Sequence, residues 1–266
     1  MLYNKINYTA DISYLSNIFI YEYDISKCNI NVLYTKGVID KSTYDYLYNA
    51  ERMTRQVYVG KLIRDNHSIN DVLKAGIIEA KQMLFEQNGI NDCDVLSIKN
   101  DAVFIINKRL NVTKFGIIEF ALKHLYTAYY KIKNMEYYYY YNNITKEEWL
   151  DIKGISNSVL PYHEKHFFQL LKDIFYTIQT SGIEVAVRLL KDAYMDYITM
   201  IMPIEYYREF NIESRYHLKF STRTGTGYYT MIASDEIKDS IDASYNASIL
   251  LELQKILTSM YFNKNR

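Results

Sequence analysis

Proline occurs only twice in the 266 residues, at Pro161 and Pro203, and glycine nine times. So few breakers exclude a collagen-like or Pro/Gly-rich disordered chain and leave room for long regular elements. The two cysteines, Cys28 and Cys93, have no metal-ligand spacing and build no disulfide framework, which suits a reducing compartment. No apolar run approaches the ~18 residues of a membrane span, and Met1-Leu2-Tyr3 does not read as the start of a signal peptide. Charge is balanced as well. Lys and Arg number 31 and Asp and Glu 31, a formal net charge of +0, so no global field draws the chain to nucleic acid.

What the chain does have is apolar residues and tyrosine. Hydrophobic residues make up 49%, enough for the core of one large or two small domains. Tyrosine stands at 29, and with the many Asn, Ile and Lys this reads as the coding bias of an AT-rich genome. The run Tyr137 to Tyr141 is accordingly read as a strand and not as a platform for stacking bases, although exposed tyrosines can do that. Locally the charge is uneven. Lys99, Lys108, Arg109, Lys114, Lys123, Lys131 and Lys133 face only Asp101 and Glu119 in the same stretch, a basic band that a solvated sheet face would also show.

Tyr14 to Tyr23 reads as a strand, and Asp40 as the N-cap of a helix with Tyr44 and Leu47 on one face. Glu51 to Arg64 is basic and helix-compatible. Val72, Leu73, Ile77, Ala80, Leu84 and Phe85 recur at helical spacing in the next segment, which Asn88-Gly89 ends. Short β-type runs follow at 95–98, 102–106, 115–120, 125–132, 135–141 and 149–152. From Pro161 the period becomes helical, through Ile183 to Met202 and again from Asp235 to Met260, with Ser221 to Gly227 read as a loop. The expected fold class is α+β, an antiparallel sheet with helices over residues 1–158 followed by a mainly helical region over 159–266.

Two stretches carry possible chemistry. The apolar run Ile18 to Tyr23 delivers Asp24 at its end, and the break Lys99-Asn100-Asp101 between two β-type runs reads as a hairpin turn. Aspartate is a favoured cap and turn residue, so each alone has a purely structural reading. Two sheet-edge carboxylates that meet are also what Mg²⁺ takes, together with substrate phosphates.

In this order the segments resemble the palm of family B DNA polymerases, above all the protein-primed phage kind. Tyr23-Asp24-Ile25-Ser26 resembles motif A. Arg52-Met53-Thr54-Arg55-Gln56-Val57-Tyr58-Val59-Gly60-Lys61 resembles the basic helix of motif B, and Lys99-Asn100-Asp101 the motif C hairpin. Lys114-Phe115-Gly116 with Glu119 looks like the strand after motif C, and Asp151-Ile152-Lys153-Gly154 like the motif that grips the primer. The resemblance implies a palm over 1–158 and a thumb over 159–266. It implies Asp24 and Asp101 as catalytic ligands of two Mg²⁺ ions, Arg52, Arg55 and Lys61 facing a nucleoside triphosphate, and Lys99 and Lys153 contacting primer or template. It also implies other viral replication or virion proteins as partners and the cytoplasm of a phage-infected bacterial cell as the setting. Two positions depart from the pattern. Asn29 replaces the tyrosine under the incoming sugar, and Lys99 replaces the first motif C carboxylate. They keep open an alternative, a catalytically inactive palm-like accessory or a virion structural protein.

Overall fold

A twelve-residue strand, β2 (Tyr14–Ile25), leads into the first helix of the chain. The computed structural model describes residues 1–132, 135–154, 168–199 and 201, together with 212–214, 217–222, 225–230, 250, 251 and 254. The chain divides into two units, Met1–Ile12 with Ile18–Thr127, and Ser13–Asn17 with Ala128–Arg266.

In the first unit, β1 (Asn7–Thr9) precedes β2, and four helices follow: α1 (Cys28–Thr35), α2 (Lys41–Asn49), α3 (Arg52–Asp65) and α4 (Ser68–Asn88). Then come β3 (Val95–Lys99), β4 (Ala102–Ile106), β5 (Lys114–Phe115) and β6 (Ile118–Ile132), whose last residues belong to the second unit. The strand order is β1-β3-β4-β2-β6, with β5 paired to β6. The β3–β4 hairpin lies antiparallel beside β2, and Asp24 is opposite Ala102. Side chains alternate along β2 with a period of two. Tyr23 and Ile25 therefore enter the core shared with the helices, while Glu22 and Asp24 take the other side.

Local chemistry explains the helices. Lys27 takes a left-handed conformation (φ 48°) that turns the chain from β2 into α1. The buried Asn31 ties the turn down, donating to the Ser26 carbonyl at 2.7 Å and accepting from the Tyr44 hydroxyl at 3.0 Å. Asp40 caps α2 by accepting from the Thr43 N–H at 2.7 Å, and Tyr44 and Leu47 are the buried residues of that helix, as the sequence predicts. Along α4, Leu73, Ile77, Ala80, Leu84 and Phe85 are buried, and Gly89 (φ +57°) ends the helix in the left-handed region. Gly76 is where α4 meets α1: a Cβ there would lie 2.3 Å from Val32 Cγ1.

The second unit pairs the end of β6 with β7 (Met135–Tyr141), and β7 with β8 (Glu148–Lys153). Two helices follow, α5 (Phe168–Ser181) and α6 (Ile183–Ile198). Tyr130, Tyr137, Tyr139, Leu171, Ile174, Phe175, Ala186, Leu190 and Leu250 form its core. The tyrosine run is a strand whose central residues, Tyr137 to Tyr139, are fully buried. Tyr139 stacks on Phe175 at 5.3 Å, and Tyr14, from the short early segment, lies 4.5 Å from Tyr130. A three-stranded antiparallel sheet completes the description: β9 (Ile212–Ser214), β10 (His217–Thr222) and β11 (Gly225–Thr230).

The fold class is α+β, with an antiparallel sheet and helices toward the C-terminus. Ile30 to Tyr34 is helical, because the turn at Lys27 swings those apolar residues onto one helix face. Two local readings differ. The runs at 115–120 and 125–132 are mostly one long strand, β6, polar at its middle at Lys123 and His124. Residues 221, 222 and 225–227, read as loop, stand in β10 and β11, where Thr and Ser fit a pleated ladder. The stretch 161–167 and most of the helix expected over 235–260 lie outside the described residues. Among the described residues no helix is long and apolar enough to cross a membrane.

Candidate active site

The end of β2, the β3–β4 turn, the first turn of α1, one face of α3 and the middle of β6 line a cleft of about 340 Å³ in the first unit. Asp24 and Asp101 are both part of its wall. The pairing of β2 with β4 brings the strand end and the turn together, close enough that the Asp101 carboxyl acts on that of Asp24. Burial first, and the neighbouring Asp101 second, push the Asp24 pKa up to about 6, while Lys123 pulls the other way.

The turn that carries Asp101 is held from behind. Asn100 adopts φ +57°, and its N–H donates to the Ile6 carbonyl at 2.7 Å. The Cys28 thiol is buried in the first turn of α1, and burial followed by the nearby Asp101 carboxylate raises its pKa, so it is no thiolate nucleophile. Lys81 of α4 is wholly buried, and burial lowers its pKa to about 8 against the pull of Asp101 and Cys28.

Around the carboxyls stand Lys27, Arg52, Arg55 and Lys123. Arg52, Arg55, Gln56 and Val59 share one face of α3 through their spacing of three, four and seven residues. Arg55 donates to the Ala50 carbonyl at 3.2 Å. Lys27 is turned toward α2, donating to the Tyr48 carbonyl at 2.7 Å with its ammonium over the Tyr48 ring.

Four of the seven residues singled out in the sequence thus share one cleft: Asp24, Asp101, Arg52 and Arg55. Lys61 does not join them. It is exposed on α3, nine positions from Arg52, which at 3.6 residues per turn is the opposite side of the helix. Lys99, on β3, donates to the Thr9 hydroxyl at 3.0 Å and is not part of the cleft wall. Lys153 stands on β8 in the second unit, 2.7 Å from the Asp151 carboxylate. Lys123 is the addition that sequence reading missed. Its only signal was membership of the basic band, and it reaches the site through the placement of β6 beside β2.

Among the described residues no three His, Cys, Asp or Glu side chains are grouped where they could hold one metal ion. The donor set present is a pair of adjacent carboxyls ringed by cations. That suits a hard ion completing its shell with water and phosphate oxygen, the way Mg²⁺ is usually bound. It does not suit a closed all-protein cage.

No curated protein matches the sequence. The model of a family described as bacteriophage PBS1 gene 130 protein matches over residues 1–259, and by that match the chain belongs to this family of phage proteins.

Proposed function

We propose that the cleft carries out metal-dependent nucleotidyl transfer from a nucleoside triphosphate, on a reduced polymerase-like palm within a phage protein. The observation that carries this reading is the neighbouring pair Asp24 and Asp101 in one cleft wall with Arg52, Arg55 and Lys123. Two adjacent carboxylates repel each other, and a divalent cation between them relieves that repulsion. The surrounding cations exceed them in charge, which favours an anionic ligand. Asp24 and Asp101 would hold Mg²⁺, which when bound supplies charge neutralisation for an attacking hydroxyl and a leaving pyrophosphate.

The protein's own groups then divide the work. Arg52 and Arg55 neutralise phosphate oxygens from α3, with guanidinium geometry suited to that task. Lys123 favours the ionised form of Asp24. Lys99 and Lys153 are proposed as contacts to primer or template, and nucleic acid and a nucleoside triphosphate as the partners.

The test is incorporation of labelled nucleotides with Mg²⁺ or Mn²⁺ over a panel of DNA and RNA primers and templates. Wild type incorporates, and Asp24→Ala and Asp101→Ala each abolish incorporation while the circular dichroism spectrum is unchanged. A wild type inert with every primer, template and metal sinks the enzymatic reading and leaves an accessory or virion role.

A further inference from the structure

A lysine with no exposed surface is rare, because an ammonium loses its hydration on burial. Lys81 is such a residue, in the middle of α4. Its Nζ donates to two backbone carbonyls, that of Lys5 and, at 3.3 Å, that of Asn100. Asn100 is the residue immediately before Asp101. Its own N–H donates to the Ile6 carbonyl at 2.7 Å, and β1 continues the contact by pairing Asn7 to Thr9 with Lys99 to Ser97. The amide and the carbonyl of Asn100 are therefore both held, one by the N-terminal arm and one by the lysine, and the lysine also holds the arm. Asp101 and Cys28 are the ionisable groups acting on Lys81, and both belong to the cleft wall. Lys81 itself is outside that wall, so it acts on the site through the turn.

We infer that Lys81 is a positioning residue that, together with residues 5–9, clamps the β3–β4 turn and so aims the Asp101 carboxyl at Asp24. An apolar side chain of similar length would fill the same space without the desolvation cost, and buried charges are often replaceable in that way without loss of stability. Packing of α4 alone gives no reason for an amine there. Three N–H donors at the end of a four-carbon stem give one: they can join two backbone segments distant in sequence. The cation also places a positive charge behind the carboxyl pair. The role in metal binding rests on the reading of Asp24 and Asp101 as metal ligands. The clamp itself does not.

The experiment compares full-length wild type, Lys81→Met and Lys81→Arg with Leu84→Ala, a core variant on the same helix, as a control for lost stability. Amide hydrogen exchange is followed at residues 98–103, and Mn²⁺ affinity is measured by electron paramagnetic resonance. In Lys81→Met the turn amides exchange about tenfold faster or more, by local opening, while the rest of the first unit keeps its protection. Its Mn²⁺ affinity falls about 10- to 100-fold, the usual effect of removing a group that orients a metal ligand. Lys81→Arg, still cationic and a donor, retains most of the protection. Leu84→Ala lowers Tm and leaves the turn and Mn²⁺ binding as in wild type. If wild type binds no Mn²⁺, the metal reading falls and turn exchange alone decides the inference. Turn exchange in Lys81→Met equal to wild type, or no faster than in Leu84→Ala, overturns it. Should Lys81→Met not fold, Lys81→Gln gives the same comparison.

Discussion

Asp24 is the residue at which the fold pays for its site. Its pKa of about 6 in the folded chain lies above the ordinary value of about 3.9 expected on unfolding. Between about pH 4 and pH 6 the native state therefore binds more protons than the unfolded one, so this group's contribution to stability falls as pH rises through that window. Below about pH 4 the carboxyl is protonated in both states, and above about pH 6 the cost is fully expressed. Asp24→Asn removes the slope and keeps a side chain of the same size. Solvent screening at this partly buried position holds the gain to about 1 kcal/mol, a rise of about 2–4 °C in Tm at pH 8 for a chain of this size. Thermal melts of both proteins from pH 4 to pH 8 read it: the curves converge at the acid end and separate toward neutrality. Tyr129 and Tyr130 give a second residue-scale prediction. Their hydroxyls are buried and have no hydrogen-bond partner among the described residues. Tyr129→Phe and Tyr130→Phe should leave Tm unchanged or raise it, since each removes a desolvated polar atom and keeps the ring. A Tm drop of several degrees in either melt would show that the hydroxyl is satisfied in solution.

At the scale of elements, the contact of α4 with α1 fixes where the first turn of α1 stands. Gly76→Ala should improve the intrinsic helix propensity of α4 by about 1 kcal/mol, yet place a methyl against the branched and buried Val32. Overpacking of this kind costs about 1–3 kcal/mol, so the net effect is destabilising, by up to about 2 kcal/mol in denaturant melts. The double variant Gly76→Ala with Val32→Ala should recover part of the loss. Elements also show what could be read in the sequence. Asp24 and Asp101 were legible because apolar runs stop at them, and the Asp40 cap and the Gly89 stop follow from local chemistry alone. The left-handed turn at Lys27 was not legible, because lysine carries no preference for that conformation. Lys61 was misplaced by counting residues without tracking the helical angle. Lys123 became a site residue only through strand pairing, which no local pattern specifies. The middle of β6, with Leu122, Lys123 and His124 all exposed, hid a long strand by breaking its apolar run.

At the scale of the whole chain, the second unit is discontinuous in sequence: Ser13–Asn17 belongs with residues from Ala128 onward. Tyr14 and Ser13 are integral to it, Tyr14 against Tyr130 and the Ser13 carbonyl accepting from the Lys131 N–H at 3.0 Å. A fragment of residues 128–266 therefore lacks part of its core. Expressed alone, it should show weaker near-ultraviolet circular dichroism and faster proteolysis than the same segment in the full chain. Adding a peptide of residues 11–19 should restore part of both. A fragment as resistant as the intact protein would mean that the early segment is dispensable.

That discontinuity has a consequence for how the protein is made. Residues 13–17 leave the ribosome first, yet the residues they must meet begin at 128. At ~5–20 residues per second, roughly 6–20 s of synthesis separate the two. Throughout that interval Tyr14 is an aromatic side chain without its neighbours, in a segment of β-forming residues. The first unit, which ends at Thr127, is complete as the interval closes, whereas the second has then only begun. The order of assembly is thus set by the path of the chain, the first unit being completed before the second.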